Sequence, residues 1–167
     1  MNNKGIITKV SQGLWVSQKD PRLNLLAIAH FLLPGHQVYI SFITAMHIYE
    51  MVSQIPKVIY AATTGHTKLI RTPVGTFSFH KISPPLFAGF DWYKNKESFL
   101  IASPEKALVD SLYIASRRGN RFGNFPELNF PKAFSFKKTE EWTELIKEQK
   151  IRSFVQNRLK EIEKNSA

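Results

Sequence analysis

The sequence predicts an α+β fold: a small mixed or antiparallel sheet packed with helices, entered through an N-terminal β-hairpin and closed by a C-terminal helix pair. Three observations carry this prediction. Short β-type runs separated by turn residues fill the stretch from residue 58 to residue 102. Ile101-Ala-Ser-Pro-Glu-Lys-Ala-Leu-Val-Asp110 then marks a helix start, with Ser103 as N-cap, Pro104 at the first helical position and Glu105 at the positive end of the helix dipole. Finally, Ile151, Phe154, Val155, Leu159 and Ile162 form an i, i+3, i+4 stripe at the C-terminus.

Taken in order, residues 6–10 and 14–16 are β-type runs joined by Ser11-Gln12-Gly13, where Gly13 supplies the positive φ of a tight hairpin. Asp20-Pro21 is expected to cap a helix running to about Leu33 and ended by Pro34-Gly35. Val38 to Ile40 is brief and extended. A helix is expected from about Ser41 to Val52, with Phe42, Ala45, Met46 and Tyr49 on one side. Val58 to Ala62 is near-continuously apolar, as suits a strand buried on both faces. Leu69–Thr72, Pro73-Val74-Gly75 and Thr76–His80 read as a hairpin in which Phe77 and Phe79 alternate with Thr76, Ser78 and His80. Phe87–Tyr93 and Ser98–Ala102 form a second hairpin across a polar turn.

The helix beginning at Ser103 is apolar almost all round. Ala107, Leu108, Val109, Leu112, Tyr113, Ile114 and Ala115 cover most of the wheel, and Lys106, Asp110 and Arg117 share one narrow polar stripe. Such a helix is a buried central element, expected to end near Gly119. Residues 119–136 space Phe122, Phe125, Phe130, Phe134 and Phe136 among Gly, Pro and Asn, as expected of a loop fastened to the core by aromatics. Thr139 is expected to cap a short helix using Trp142, Leu145 and Ile146 ahead of the final stripe.

With 167 residues, 43% hydrophobic and 13% aromatic, the chain is long and apolar enough for one globular domain with a real core. Cysteine is absent, which removes disulfides, thiol nucleophiles and thiolate metal sites together. No signal-type run opens the chain, and its longest apolar candidate, Leu23 to Leu33, already contains Asn24 and His30. A cytoplasmic protein without a membrane partner is the expectation. Net charge is +10, from 23 Lys and Arg against 13 Asp and Glu, which favours a polyanionic partner. Two clusters concentrate that charge: Lys4, Lys9, Lys19 and Arg22 near the N-terminus, and Arg117, Arg118 and Arg121 at the end of the central helix. These seven are the candidate DNA- or RNA-binding residues.

Catalytic chemistry is poorly represented. The five histidines show no i, i+4 pair, and His30 and His47 fall in apolar helices where satisfied core histidines are the rule. There is no Gly-x-Ser-x-Gly elbow, and Thr63-Thr-Gly-His-Thr-Lys68 lacks the glycine spacing of a phosphate loop. A metal-dependent nuclease would draw on Asp91, Glu105 and Asp110, but Glu105 and Asp110 lie about 140° apart on the wheel. Lys106 and Asp110 instead form an i, i+4 ion pair with a structural role. The expectation is therefore a non-enzyme with no catalytic residue, metal or cofactor.

Several segments, in order along the chain, carry a resemblance: Gly13-Leu-Trp15, Ser41 to His47, Ile55-Pro56, Ala61-Ala-Thr-Thr64, Thr72-Pro-Val-Gly-Thr-Phe-Ser-Phe-His80 and Ala102-Ser-Pro-Glu-Lys-Ala-Leu-Val-Asp110. The most specific are the hairpin with Thr72, Pro73 and Gly75 and the helix start with Ser103, Pro104, Glu105, Lys106 and Asp110. In these the chain resembles the AbiEi family, antitoxins and transcriptional regulators of type IV toxin–antitoxin (abortive infection) systems of bacteria. The resemblance implies a winged-helix N-terminus that binds promoter DNA and an α/β domain that opposes a nucleotidyltransferase toxin, with no tight complex between the two required. On it, residues 1–19 are the wing of a winged helix whose groove-binding helices this chain lacks, and residues 20–167 are the antitoxin domain. The competing readings are a generic nucleic-acid-binding module and the metal-dependent nuclease or phosphodiesterase.

Overall fold

The computed structural model describes residues 7–17, 19–20, 24–93, 99–118, 125 and 127–166. Strands β1 (Ile7–Ser11) and β2 (Leu14–Ser17) form the N-terminal hairpin, turning at Gln12-Gly13 with Gly13 at φ +79°. Val10 is buried in the main core and Leu14 and Val16 pack against it, which supplies the support an isolated ribbon needs.

Six further strands build one mixed sheet: β3 (Val38–Ile40), β4 (Ile59–Thr63), β5 (Lys68–Thr72), β6 (Gly75–Lys81), β7 (Phe90–Trp92) and β8 (Leu100–Ala102), in the spatial order β5-β6-β4-β3-β8-β7. The pairs β4–β6 and β3–β8 are parallel; β3–β4, β5–β6 and β7–β8 are antiparallel. Both expected hairpins are present. The first turns through Pro73-Val74, where the Thr72 hydroxyl accepts from the Val74 and Gly75 amides and donates to the Gly75 carbonyl.

Helix α1 (Leu25–Phe31) starts later than Asp20-Pro21 predicts, because Asn24 is the N-cap and its Oδ1 accepts from the Leu26 amide at 2.9 Å. His30 is exposed on this helix rather than in the core. Helix α2 (Phe42–Ile48) stops short of the expected Val52. Glu50 takes the left-handed conformation (φ 60°), its amide donates to His47 O at 2.9 Å, and the Met51 amide donates to Met46 O at 2.8 Å. These two bonds make a Schellman end without the usual glycine, so no residue type announced it. His47 is a satisfied histidine, its Nδ1 3.3 Å from Val52 O.

Helix α3 (Pro104–Arg118) is the central element expected of it. Every residue from Glu105 to Ala115 is buried, and the helix packs on α2, β8 and the C-terminal helices α4 (Phe136–Thr143) and α5 (Gln149–Ser166). Thr139 does not cap α4. It lies one turn inside the helix and is buried, and Ser135 holds the cap position, its amide donating to Glu105 Oε1 at 3.1 Å. The start of α4 is thus set by a side chain of α3. Phe130, Phe134 and Phe136 pack together with ring centroids 4.6–5.2 Å apart, the aromatic fastening expected of this segment; Phe122 lies outside the described residues. No helix among the described residues is long and apolar enough to cross a membrane.

Candidate functional site

Two residues of the polar stripe of α3, Lys106 and Asp110, face inward, and the third, Arg117, is exposed near the helix end. Parallel pairing of β3 with β8 places Tyr39 and Ser41, at the end of β3, beside the start of α3, which follows β8 directly. Asp110 Oδ2 accepts from the Tyr39 hydroxyl at 2.8 Å and the Ser41 hydroxyl at 2.7 Å. Lys106 Nζ donates to Asp110 Oδ1 and, at 3.1 Å, to the Tyr39 hydroxyl. All four residues are buried, and both carboxylate oxygens are satisfied. The next residue, Phe42, is fully buried at φ 57°, a strained conformation for a bulky side chain. Its ring packs edge-on against His80 at 5.3 Å.

Burial lowers the Lys106 pKa, opposed by the charge and hydrogen bond of Asp110. Burial first, and Asp110 second, push the Tyr39 hydroxyl well above the usual tyrosine range. The Tyr39 ring stacks on Phe90 at 4.5 Å, and Lys106 Nζ lies 6.0 Å from the Trp142 ring centroid. The network is turned in on itself: both Asp110 oxygens accept within it, and Lys106 Nζ spends two of its three N–H donors there.

Above it opens a cleft of about 570 Å³ between β7, the start of α3, the end of α2 and α4. Tyr49, Phe90, Trp92, Tyr93 and Trp142 line it, together with the carboxylates of Asp91, Glu105 and Glu141. Gly89 forms part of its wall at φ +75°, and a Cβ there would sit 2.7 Å from Trp142 Cζ2 and 3.0 Å from Lys106 Cγ. The close approach of backbone to indole requires glycine. Ser103 caps α3 as expected, its Oγ accepting from the Lys106 amide at 3.2 Å. The half-buried Tyr49 hydroxyl is pushed up to about 12, by burial first, then by Tyr93 and Glu105.

Asp91, Glu105 and Asp110 do not converge. Asp110 is locked to Lys106, Tyr39 and Ser41; Glu105 turns to the Ser135 amide; Asp91 is exposed and accepts from the Trp92 amide at 2.7 Å. Among the described residues no three His, Asp or Glu side chains gather as a metal site.

The basic candidates divide differently from the sequence clusters. Lys4, Arg22, Arg121 and the side chain of Arg118 lie outside the described residues. Lys9 is exposed on β1 with Nζ 5.8 Å from the exposed Trp15 ring, and Lys19 is exposed beyond β2. Arg117 donates to the Tyr113 hydroxyl at 3.2 Å and lines a second cleft, of about 350 Å³, with His66, Thr67 and Lys81. Among the described residues neither Arg117 nor Lys81 forms an ion pair. Lys81 and His66 escape sequence reasoning because they come from the β4–β6 region, far from Arg117 along the chain.

The aromatic cleft is equally hidden in the sequence, whose one local signal is the run Asp91-Trp92-Tyr93; only the structure shows Trp92 57% exposed on an edge strand. No protein-family model and no curated protein matches this chain.

Proposed function

We propose that this chain is an AbiEi-like antitoxin and transcriptional regulator, which counters a nucleotidyltransferase toxin in the bacterial cytoplasm by binding and not by catalysis. One observation carries the reading. The chemistry-bearing residues of the Ser-Pro-Glu-Lys-Ala motif, Lys106 and its partner Asp110, are enclosed in a buried network, while among the described residues Arg117 and Lys81 stand at a surface cleft without a carboxylate partner. Closed polar groups hold architecture; unpaired surface cations attract polyanions. Three other residues of the family likeness have the same scaffold character. Thr72 and Gly75 set a turn and Ser103 caps the central helix.

Nucleic acid is the polyanion this reading names. Its affinity for duplex DNA falls with salt, and Arg117→Ala or Lys81→Ala each lessen the slope of log affinity against log salt by about 0.9 for a lost phosphate contact. Co-expression of the chain with the nucleotidyltransferase toxin restores growth. A well-folded chain that neither rescues growth nor binds nucleic acid at low salt overturns the proposal.

A further inference from the structure

We propose that the aromatic cleft between β7, α3 and α4 is a receptor for an arginine side chain presented by a protein partner. The argument begins with Glu105. It is only 4% exposed, one oxygen accepts from the Ser135 amide, and its second oxygen, Oε2, receives no hydrogen bond and no cation among the described residues. Oε2 is not among the buried atoms that lack a partner, so it is the part of Glu105 that reaches solvent, and Glu105 lines the cleft. Its place in the first turn of α3 favours the charged carboxylate and leaves Oε2 open.

The surroundings specify a cation as the partner. Asp91 and Glu141 add two carboxylates at the rim, and the rings of Tyr49, Trp92 and Trp142 line the walls. Lys138, also on the wall, is exposed and forms no ion pair with any of the three acids. In a chain of net charge +10, the described residues here make a local acidic and aromatic site. Cations bind to aromatic faces, and among side chains the planar, weakly hydrated guanidinium both stacks on indole and donates to carboxylate. Trp92 is 57% exposed, so the mouth faces outward and a side chain standing on another protein's surface reaches it. The surface is complementary in charge to a basic partner and repels the polyanion that the opposite charge at Arg117 attracts. The inference therefore stands apart from the nucleic-acid reading.

The test uses the full chain carrying Trp15→Phe, so that only Trp92 and Trp142 fluoresce, titrated with the capped peptide acetyl-Gly-Arg-Gly-amide at low salt. The peptide is expected to change the emission saturably. The same peptide with citrulline in place of arginine, equal in shape but uncharged, binds at least about tenfold more weakly. Glu105→Gln keeps an oxygen for the Ser135 amide and so keeps the fold; it weakens the arginine peptide by about tenfold or more, and the exposed Trp92→Leu does likewise. Unchanged circular dichroism confirms that either variant is folded. Equal binding of the citrulline peptide, an unaltered affinity in folded Glu105→Gln, or tighter binding of free L-arginine than of the peptide overturns the proposal. So does the absence of any response up to about 10 mM peptide.

Discussion

Tyr39 and Lys106 meet at 3.1 Å in the core, hydroxyl to ammonium, and the same hydroxyl donates onward to Asp110 at 2.8 Å. A strand-end tyrosine thereby ties the sheet to the central helix through a buried ion pair. Removing one member strands the other. Lys106→Met is expected to cost about 3–5 kcal/mol, since Asp110 is left buried without its counter-ion. The double variant Lys106→Met/Asp110→Leu recovers much of this, because an apolar pair needs no partner. Urea unfolding of both singles and the double gives the coupling energy. Additive losses in the double would show that the pair does not act as a unit.

At the end of α2, Glu50 occupies a left-handed position (φ 60°) in which an L side chain is disfavoured. Both Schellman bonds are made by backbone amides and do not need its carboxylate. Glu50→Gly is therefore expected to stabilise the protein by about 0.5–1 kcal/mol, read as a rise in the denaturant midpoint at constant m. Glu50→Ala, which keeps the Cβ, gains nothing comparable.

Gly89 shows the opposite case. Its φ of +75° and the 2.7 Å approach of a Cβ to Trp142 Cζ2 both oppose any larger residue. Gly89→Ala is expected to destabilise by about 1–3 kcal/mol and to move the Trp142 indole, visible in near-UV circular dichroism. A native-like near-UV spectrum with unchanged stability would contradict this account of the cleft wall.

What could be read from the chain followed locality. The start of α3 was legible because Ser103, Pro104 and Glu105 are consecutive, and the β5–β6 hairpin because its turn and alternation lie within a few residues. The Lys106–Asp110 pair needed only the helical repeat. Tyr39 and Ser41, separated from Asp110 by 71 and 69 positions, needed the parallel pairing of β3 and β8, which no local pattern encodes. The misplaced helix boundaries have the same origin. Asp20-Pro21 and Asn24 are rival start signals close together, Glu50 closes α2 without glycine, and α4 begins where Glu105 of another helix receives the Ser135 amide. The aromatic cleft draws on segments near Tyr49, Trp92, Glu105 and Trp142, and only the fold assembles them.

Alkaline pH probes the same region, and the sign differs between groups. Tyr39 and Tyr49 are raised in the folded protein, Tyr49 from 10.0 to about 12, so the unfolded chain gives up these protons first. Their contribution is fully present below pH 10 and is lost as pH rises from there, for Tyr49 through about 12. Lys106 is lowered from 10.5, so between its folded value and 10.5 the unfolded chain holds one more proton and stability rises with pH. Tyr49→Phe is accordingly expected to flatten the fall in unfolding free energy between pH 10 and about 12 by up to one proton, the more modestly because Tyr49 is only half-buried. Lys106→Met removes the rising limb below 10.5 and leaves the falling one. Urea titrations across this range, with tyrosinate absorbance recorded on the folded protein, separate the two limbs; a Tyr49→Phe slope identical to the parent's would place its hydroxyl in open water in both states.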